Sequence, residues 1–428
     1  MLNFSPSDAK ESSYRPKAAA SWIPLAEGGL QVSVNLLLFS LPLAYITAVR
    51  EIFLGLGLFF WLVLMILNRQ VLWPRTSLEW PLVFWLVCVL ISLFWAVNPQ
   101  YSLKKIQGDV LKGIAIYYLL AYASQEPDRK KQLLFFLSAG NLLMVLYGFW
   151  DFWQAGGSLI DFSMVRARSL HQGYPEFGTY LITVFPFFPV FFFAFFGRKV
   201  RWIFAALSLL NLFSIYLTFG RAMWLAAGAE LLLIGWLMNR KKIVLICLAV
   251  LLGMALVIPK SVWFHGEKFS SQKEWNLGKM GGTGGDLIEV WKLALNFLKE
   301  RPFQGVGYGR NSFSEAFPEF RSSHQPLLWH AHNTFLNVAF QTGLQGLLAF
   351  LWLIGAILYQ TFRRSKISPD LWTGMFNLSV MVMVIGFFIR NFFDDLYVDD
   401  TLLLFWFLAG AALSPARVPD GPGSVEGN

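Results

Sequence analysis

The stretch Leu371–Ile389, LWTGMFNLSVMVMVIGFFI, contains 19 residues without a charge, and Asp370 and Arg390 bound it. A helix of about 20 apolar residues spans the hydrocarbon core of a bilayer. The whole chain has this character, because 56% of its 428 residues are hydrophobic and 14% are charged. Soluble domains are about 25% charged. The composition therefore excludes an ordinary water-soluble domain and favours a membrane protein.

Similar apolar runs recur along the chain and predict twelve membrane-spanning helices. The predicted spans are 29–49, 52–67, 80–97, 107–123, 132–154, 177–196, 200–218, 222–238, 243–258, 333–358, 371–389 and 401–414. The predicted fold class is an all-α polytopic membrane protein with one long loop. Its predicted parts are an N-terminal tail 1–28, helices one to nine in 29–258, the loop 259–332, helices ten to twelve in 333–414 and a tail 415–428. The first 28 residues lack the apolar core of a cleaved signal peptide.

The basic residues between the spans predict the orientation. With a cytoplasmic N-terminus, 18 Lys and Arg residues fall on the inner side and 7 in the short outer loops, as the positive-inside rule requires. The net charge of +9 is therefore explained by topology, and we expect contacts with membrane lipids and no nucleic acid. Both tails are then cytoplasmic, and the long loop is external. The inner loops carry no phosphate-binding motif, so any substrate would arrive already activated on the outer side.

The long loop 259–332 is rich in aromatic residues, which favours an ordered and functional segment. Residues Asp286–Lys299 repeat apolar side chains at helical spacing and predict an amphipathic helix. The preceding glycines, Gly281–Gly285, predict a flexible hinge. The following stretch, Pro302–Gly309, predicts a tight turn that returns the chain to the membrane.

The end of the loop carries the most specific motif. His332-Asn333 is followed by nine residues and then by Gly343-Leu344-Gln345-Gly346. This pattern resembles the signature of the O-antigen ligase family, a branch of the O-antigen ligase and polymerase superfamily. Leu217–Ala222, which contains Arg221, and the Pro-x-x-Gly-Val-Gly turn in Pro302–Gly309 also resemble family segments.

The resemblance implies a GT-C-like fold and an inverting, metal-independent glycosyl transfer without a cofactor. The donor would be a glycan on undecaprenyl pyrophosphate, and the acceptor a sugar hydroxyl of lipid A–core, at the periplasmic face of the inner membrane. A polymerase or a protein O-oligosaccharyltransferase of the same superfamily is the alternative. A secondary transporter or flippase is the alternative from another class, but such proteins typically contain inverted repeats, and the one long loop has no counterpart in the first half of the chain.

Within this resemblance His332 is the expected catalytic base, because a neutral imidazole can take a proton from a sugar hydroxyl near pH 7. Arginine binds phosphate oxygens bidentately and stays charged. The expected binding residues for pyrophosphate and glycan are Arg221, Arg166, Arg168, His330, Asn333 and Arg321. Asn333 has the alternative role of capping helix ten. A metal site at His330 and His332, with His324, is not favoured because the sequence places no carboxylate or Cys ligand nearby.

Three further features complete the sequence predictions. The family resemblance leads us to expect an arginine shortly before Trp291, but this chain has Asp286, so another loop cation would have to replace it; the candidates are Lys279, Arg310 and Arg321. The acidic run Asp394–Asp400 is expected to be a solvated outer loop. Glu230 is a carboxylate within a span and a candidate functional group for that reason.

Overall fold

The computed structural model describes residues 17–43, 45–159, 165–171, 173–195, 197–242, 283–319 and 330–415. Within these residues the helices pack against one another as a bundle. The α-helices are α1 (Lys17–Ser40), α2 (Thr47–Asn68), α3 (Glu79–Ile91), α4 (Pro99–Lys105), α5 (Lys112–Ala123), α6 (Pro127–Gln154), α7 (Tyr174–Val184), α8 (Phe187–Ala194), α9 (Arg201–Leu217), α10 (Arg221–Leu237), α11 (Thr283–Glu300), α12 (Ser312–Ala316), α13 (Thr334–Ile367), α14 (Leu371–Asn391) and α15 (Asp399–Ala412). A π-helical turn, Ile106–Leu111, joins α4 to α5.

Six helical segments of the described chain are long and apolar enough to cross a membrane. They are Ser21–Ser40, Thr47–Asn68, Pro127–Gln154, Tyr174–Ala194, Thr334–Ile367 and Leu371–Asn391. Two shorter apolar segments, Glu79–Trp95 and Arg201–Leu217, accompany them. The chain is therefore a multi-pass membrane protein, as its composition predicts.

Eleven of the twelve predicted spans overlap helices, and the twelfth, 243–258, lies outside the described residues. The count of twelve stays a prediction. Helix α1 begins at Lys17, before the predicted start of the first span at residue 29. The predicted end of that span at residue 49 is wrong as a helix end: α1 ends at Ser40, and Pro42 follows, which cannot continue a helix without loss of a backbone hydrogen bond.

Segments that the charge pattern assigns to the same side meet in the fold. Arg50 pairs with Asp400, and Lys105 Nζ lies 2.8 Å from Asp399 Oδ1; all four belong to predicted outer ends. At the opposite end, Arg364 donates to the Ser414 carbonyl at 2.6 Å. These contacts agree with the alternation of spans along the chain.

The predicted single helix ten is broken at Gly343. This residue has φ +76° and ψ 174°, outside helical values. The rings of Phe335 and Phe350 lie 6.4 Å apart, whereas 15 residues of straight helix would separate their positions by about 22 Å. The chain therefore folds back at Gly343, and helix 334–342 lies across helix 344–367.

The turn Pro302–Gly309 packs against this break in α13. Leu344 N donates to Pro302 O at 2.8 Å, and Gly307 N donates to Gln341 O at 3.2 Å. A broken helix leaves its last carbonyls without partners, and the turn supplies donors to them. Gly305 is required here, since a Cβ on it would lie 1.9 Å from the Gln341 carbonyl oxygen. The Gly-Val-Gly turn and the Gly-x-x-Gly pair thus form one structural unit.

The amphipathic helix is confirmed as α11, Thr283–Glu300. The predicted hinge is wrong in its second half, because Thr283, Gly284 and Gly285 belong to this helix. Gly281 and Gly282 lie outside the described residues.

Candidate functional site

His330 and His332 lie on a short segment that is held from two sides. The indole Nε1 of Trp291, on α11, donates to the Ala331 carbonyl at 2.8 Å. The backbone N–H of His332 donates to Nδ1 of His330 at 3.0 Å, and the two rings lie 3.7 Å apart. His332 has φ +47°, a conformation uncommon for a residue with a side chain. Such backbone strain concentrates at functional sites.

Asp394 brings a carboxylate to these histidines. Its Oδ1 lies 3.4 Å from Nδ1 of His332 and 4.0 Å from Nε2 of His330. Its Oδ2 accepts a hydrogen bond from Arg390 Nη2 at 2.8 Å. Arg310 Nη2 lies 3.7 Å from Oδ1 and 2.7 Å from His330 Nε2. We call these five residues, Arg310, His330, His332, Arg390 and Asp394, the histidine–aspartate cluster.

The charges in the cluster favour an ionised Asp394 and a neutral His330. Burial alone would raise the pKa of Asp394, but the hydrogen bond with His332 and the charge of Arg390 hold it well below its ordinary value. Burial, followed by the charges of His332 and Arg310, lowers the pKa of His330 well below its ordinary value. His330 is therefore uncharged near neutral pH.

His330 has a donor near each of its ring nitrogens. The backbone N–H of His332 donates to Nδ1 at 3.0 Å, and Arg310 Nη2 lies 2.7 Å from Nε2. A neutral imidazole has one acceptor nitrogen, so the tautomer of His330 sets the role of its contact with Arg310. Asp394 is an acceptor near both groups.

Asp395 and Asn333 anchor the neighbouring helix. Asp395 accepts hydrogen bonds from Thr334 Oγ1 at 2.8 Å and from the amide of Asn337, and burial raises its pKa. The side chain of Asn333 accepts the Leu336 N–H at 3.0 Å. Asn333 is thus the N-cap of helix 334–342, and the oxygen of its side-chain amide is occupied by this hydrogen bond.

The expected solvated loop at Asp394–Asp400 is wrong for its first two acids. Asp394 and Asp395 are largely buried, because Arg390 and Arg310 balance the first and polar donors satisfy the second. Asp399 conforms to the expectation, with 66% of its side chain exposed beside Lys105.

The other predicted arginines lie around the junction of α9 and α10. Arg221 is the exposed first residue of α10. Arg166 stacks on the Tyr174 ring at 4.3 Å, and Arg168 Nε lies 3.4 Å from Asp151 Oδ2. The N–H of Ala167 donates to the Leu217 carbonyl at 2.9 Å, which brings the Arg166–Arg168 segment to the chain just before Arg221.

Two members of the cluster were missed by sequence reasoning, and one was a named alternative. Arg310 is one of the three cations proposed to replace the missing loop arginine; Arg321 and Lys279 lie outside the described residues. Arg390 and Asp394 were treated as outer-loop charges. A signal for Arg390 existed, because an arginine at the outer end of a span opposes the positive-inside rule.

The cluster contains three residues of types that bind metal ions. His330, His332 and Asp394 offer ligand atoms within 4.8 Å of one another and could hold an ion. The premise that the histidines have no nearby carboxylate is therefore wrong. The same carboxylate contacts two guanidinium groups, however, and like charges repel a bound cation. The arrangement favours a balanced hydrogen-bonded cluster over a metal centre.

Comparison with known proteins gives two similarities. The family model described as O-antigen ligase matches residues 206–351, a range that contains Arg221, Arg310 and both histidines. The O-antigen ligase of Salmonella typhimurium (strain LT2) is 24% identical over 368 residues, which cover 76% of this chain and 82% of the relative. The family signature, its position before α13 and these two matches agree in making this chain similar to O-antigen ligases.

Proposed function

We propose that this chain, whose similarity to O-antigen ligases supports a glycosyl-transfer role in lipopolysaccharide synthesis, joins a polysaccharide from undecaprenyl pyrophosphate to a sugar hydroxyl of lipid A–core. The reaction would take place at the periplasmic face of the inner membrane. The observation that carries the proposal is the contact between His332 and Asp394 at the outer ends of two predicted spans.

His332 is the proposed general base. Asp394 accepts from the Nδ1–H of His332, which leaves Nε2 as the acceptor for the substrate proton. The acceptor oxygen attacks the anomeric carbon while the bond from that carbon to the pyrophosphate breaks. The hydroxyl proton passes to His332 Nε2, and the electron pair leaves with undecaprenyl pyrophosphate. A single displacement inverts the configuration at the anomeric carbon.

The leaving pyrophosphate requires cations, because its charge grows in the transition state. Removal of one preorganised donor from such a site costs about 2.7–4 kcal/mol. Arg221 is the proposed principal phosphate ligand, with Arg166 or Arg168 beside it, and Arg310 is the proposed substitute for the missing loop arginine. Arginine charges perform the role that a divalent metal has in other transferases, so the proposed reaction is metal-independent.

The decisive experiment is a reconstituted reaction of the purified protein with a glycan on undecaprenyl pyrophosphate. The acceptors are lipid A–core, a second lipid-linked glycan and an acceptor protein, each supplied separately. We expect product with lipid A–core, no product from His332→Ala and full activity in EDTA. Product with another acceptor would replace ligation by polymerisation or protein glycosylation. Transfer by His332→Ala at the native rate would refute the base, and activity lost in EDTA and restored by a divalent ion would establish a metal site.

A further inference from the structure

A second group of charged residues lies at the end of the bundle opposite the histidine–aspartate cluster. Lys130, near the start of α6, is 3% exposed. The charge of Arg364, on α13, repels it, and that of Asp370 attracts it. Arg364 Nη1 donates to the Ser414 carbonyl at 2.6 Å, and the Ser414 hydroxyl donates to the Ser124 carbonyl at 2.9 Å. Four separate segments of the chain thus bring two cations together at this end, which the charge pattern predicts to be cytoplasmic.

The nearby carboxylates are engaged by other groups. Asp128 Oδ1 lies 2.7 Å from Lys131 Nζ, and Asp370 Oδ2 accepts the Thr373 N–H at 2.7 Å as the N-cap of α14. Among the residues that the structure describes, no carboxylate forms an ion pair with Lys130, and Asp370 acts on it only at longer range. A charge that is removed from water is unfavourable unless it is paired. An anion bound from outside the chain would supply the missing partner.

The position of the two cations indicates which anion can reach them. Lys131 Nζ lies 5.4 Å from the centre of the Trp372 ring, on α14, and tryptophan is enriched at the level of the lipid headgroups. The exposed cations Arg363 and Lys366 at the same end are sufficient to orient the chain in the membrane. Orientation does not explain the burial of Lys130, because a charge in solvent would serve that purpose equally well.

We propose that Lys130 and Arg364 form a binding site for the phosphate of an anionic phospholipid headgroup. Phosphate oxygens accept hydrogen bonds from ammonium and guanidinium groups, and basic pockets between membrane-spanning helices on the cytoplasmic side bind headgroups of this kind. A zwitterionic phospholipid carries its own cation, which the two basic side chains repel. The site therefore selects a lipid with a net negative charge, whose acyl chains remain in the bilayer.

The test compares Lys130→Met with the matched control Lys366→Met. Both replacements remove one positive charge from the same end of the bundle, but Lys366 is exposed and its Nζ lies 5.7 Å from the centre of the Phe362 ring. The melting temperature of the full-length protein is measured in phosphatidylcholine nanodiscs that contain increasing fractions of phosphatidylglycerol. A lipid that binds only the folded state raises this temperature, and the dependence on lipid fraction gives an apparent Kd. The salt concentration is about 1 M, where a Debye length of about 3 Å suppresses diffuse attraction.

We expect Lys130→Met to raise the apparent Kd for phosphatidylglycerol at least about tenfold. This factor corresponds to about 1.4 kcal/mol, close to the lower limit for a hydrogen bond to a charged group. Lys366→Met should keep the native Kd, and inorganic phosphate should leave every melting temperature unchanged. In phosphatidylcholine alone, Lys130→Met should melt no lower than the native protein, because it has lost an unpaired buried charge.

Three results would overturn the proposal. Equal Kd values for the two variants would show that the lipid responds only to the total charge at this end. Stabilisation of the native protein by inorganic phosphate, but not of Lys130→Met, would assign the cations to a soluble anion. A Lys130→Met protein that melts well below the native protein in phosphatidylcholine would show that Lys130 already has a partner within the chain.

Discussion

Asp394→Asn tests whether the carboxylate beside His332 is needed for transfer. The replacement keeps the shape of the side chain but removes the charge that faces Arg390, whose side chain is 4% exposed. A buried cation left without its partner typically costs about 3–5 kcal/mol of stability. The side-chain amide of Asn at position 394 also no longer favours the form of His332 that carries its proton on Nδ1. Loss of general-base catalysis reduces rates by about 10²–10⁴, so we expect kcat to fall at least about 100-fold.

Asp399→Asn is the matched control for this change. Asp399 belongs to the same acidic run but is 66% exposed and pairs with Lys105, and such pairs contribute about 0–1 kcal/mol. The assay follows transfer of a labelled glycan from undecaprenyl pyrophosphate to lipid A–core, with expression and melting temperature measured for both variants. Asp399→Asn should retain native kcat. Similar kcat values for the two variants would refute the role of Asp394.

The remaining predictions concern the motif glycines, the arginine of α10 and pH. Gly305→Ala should destabilise the fold by about 3 kcal/mol or more, because its Cβ meets the Gln341 carbonyl at 1.9 Å; Gly355→Ala, with no atom within 4 Å of its Cβ, should melt at the native temperature, and equal melting of both would show that the turn yields. Arg221→Ala should reduce transfer more than Arg221→Lys, because lysine keeps the charge but not the bidentate geometry; identical kcat/KM values would contradict phosphate binding by a guanidinium fork. The folded pKa of Asp394 is lowered, so its stabilising contribution is present above an ordinary aspartate pKa of about 3.9 and is lost as pH falls through the lower folded pKa. The difference in melting temperature between the native protein and Asp394→Asn should then persist from pH 7 to pH 5 and shrink below about pH 4; a difference that disappears by pH 6 would contradict the lowered pKa.

Local pattern predicted the elements of this fold well. An uncharged run such as Leu371–Ile389 must form a helix in a bilayer, because every backbone polar group has to be satisfied within the segment. Helical spacing of apolar residues located α11 for a similar local reason. Hydropathy placed the start of the first helix at residue 29, whereas α1 begins at Lys17. The helix begins earlier because backbone hydrogen bonding continues into residues that are not apolar.

The sequence by itself determined the membrane-spanning architecture, the family signature and the importance of the segment His330–Asn333. The fold-back at Gly343 and the partners of His332 were decided by the tertiary structure. Arg310 and Asp394 are far from His332 in the chain, and each of these two alone has the appearance of an outer-loop charge. Their meaning depends on burial, because a carboxylate removed from water requires nearby cations and donors. Packing of α11, the broken α13 and the end of α14 supplies that environment, and no spacing along the chain encodes it.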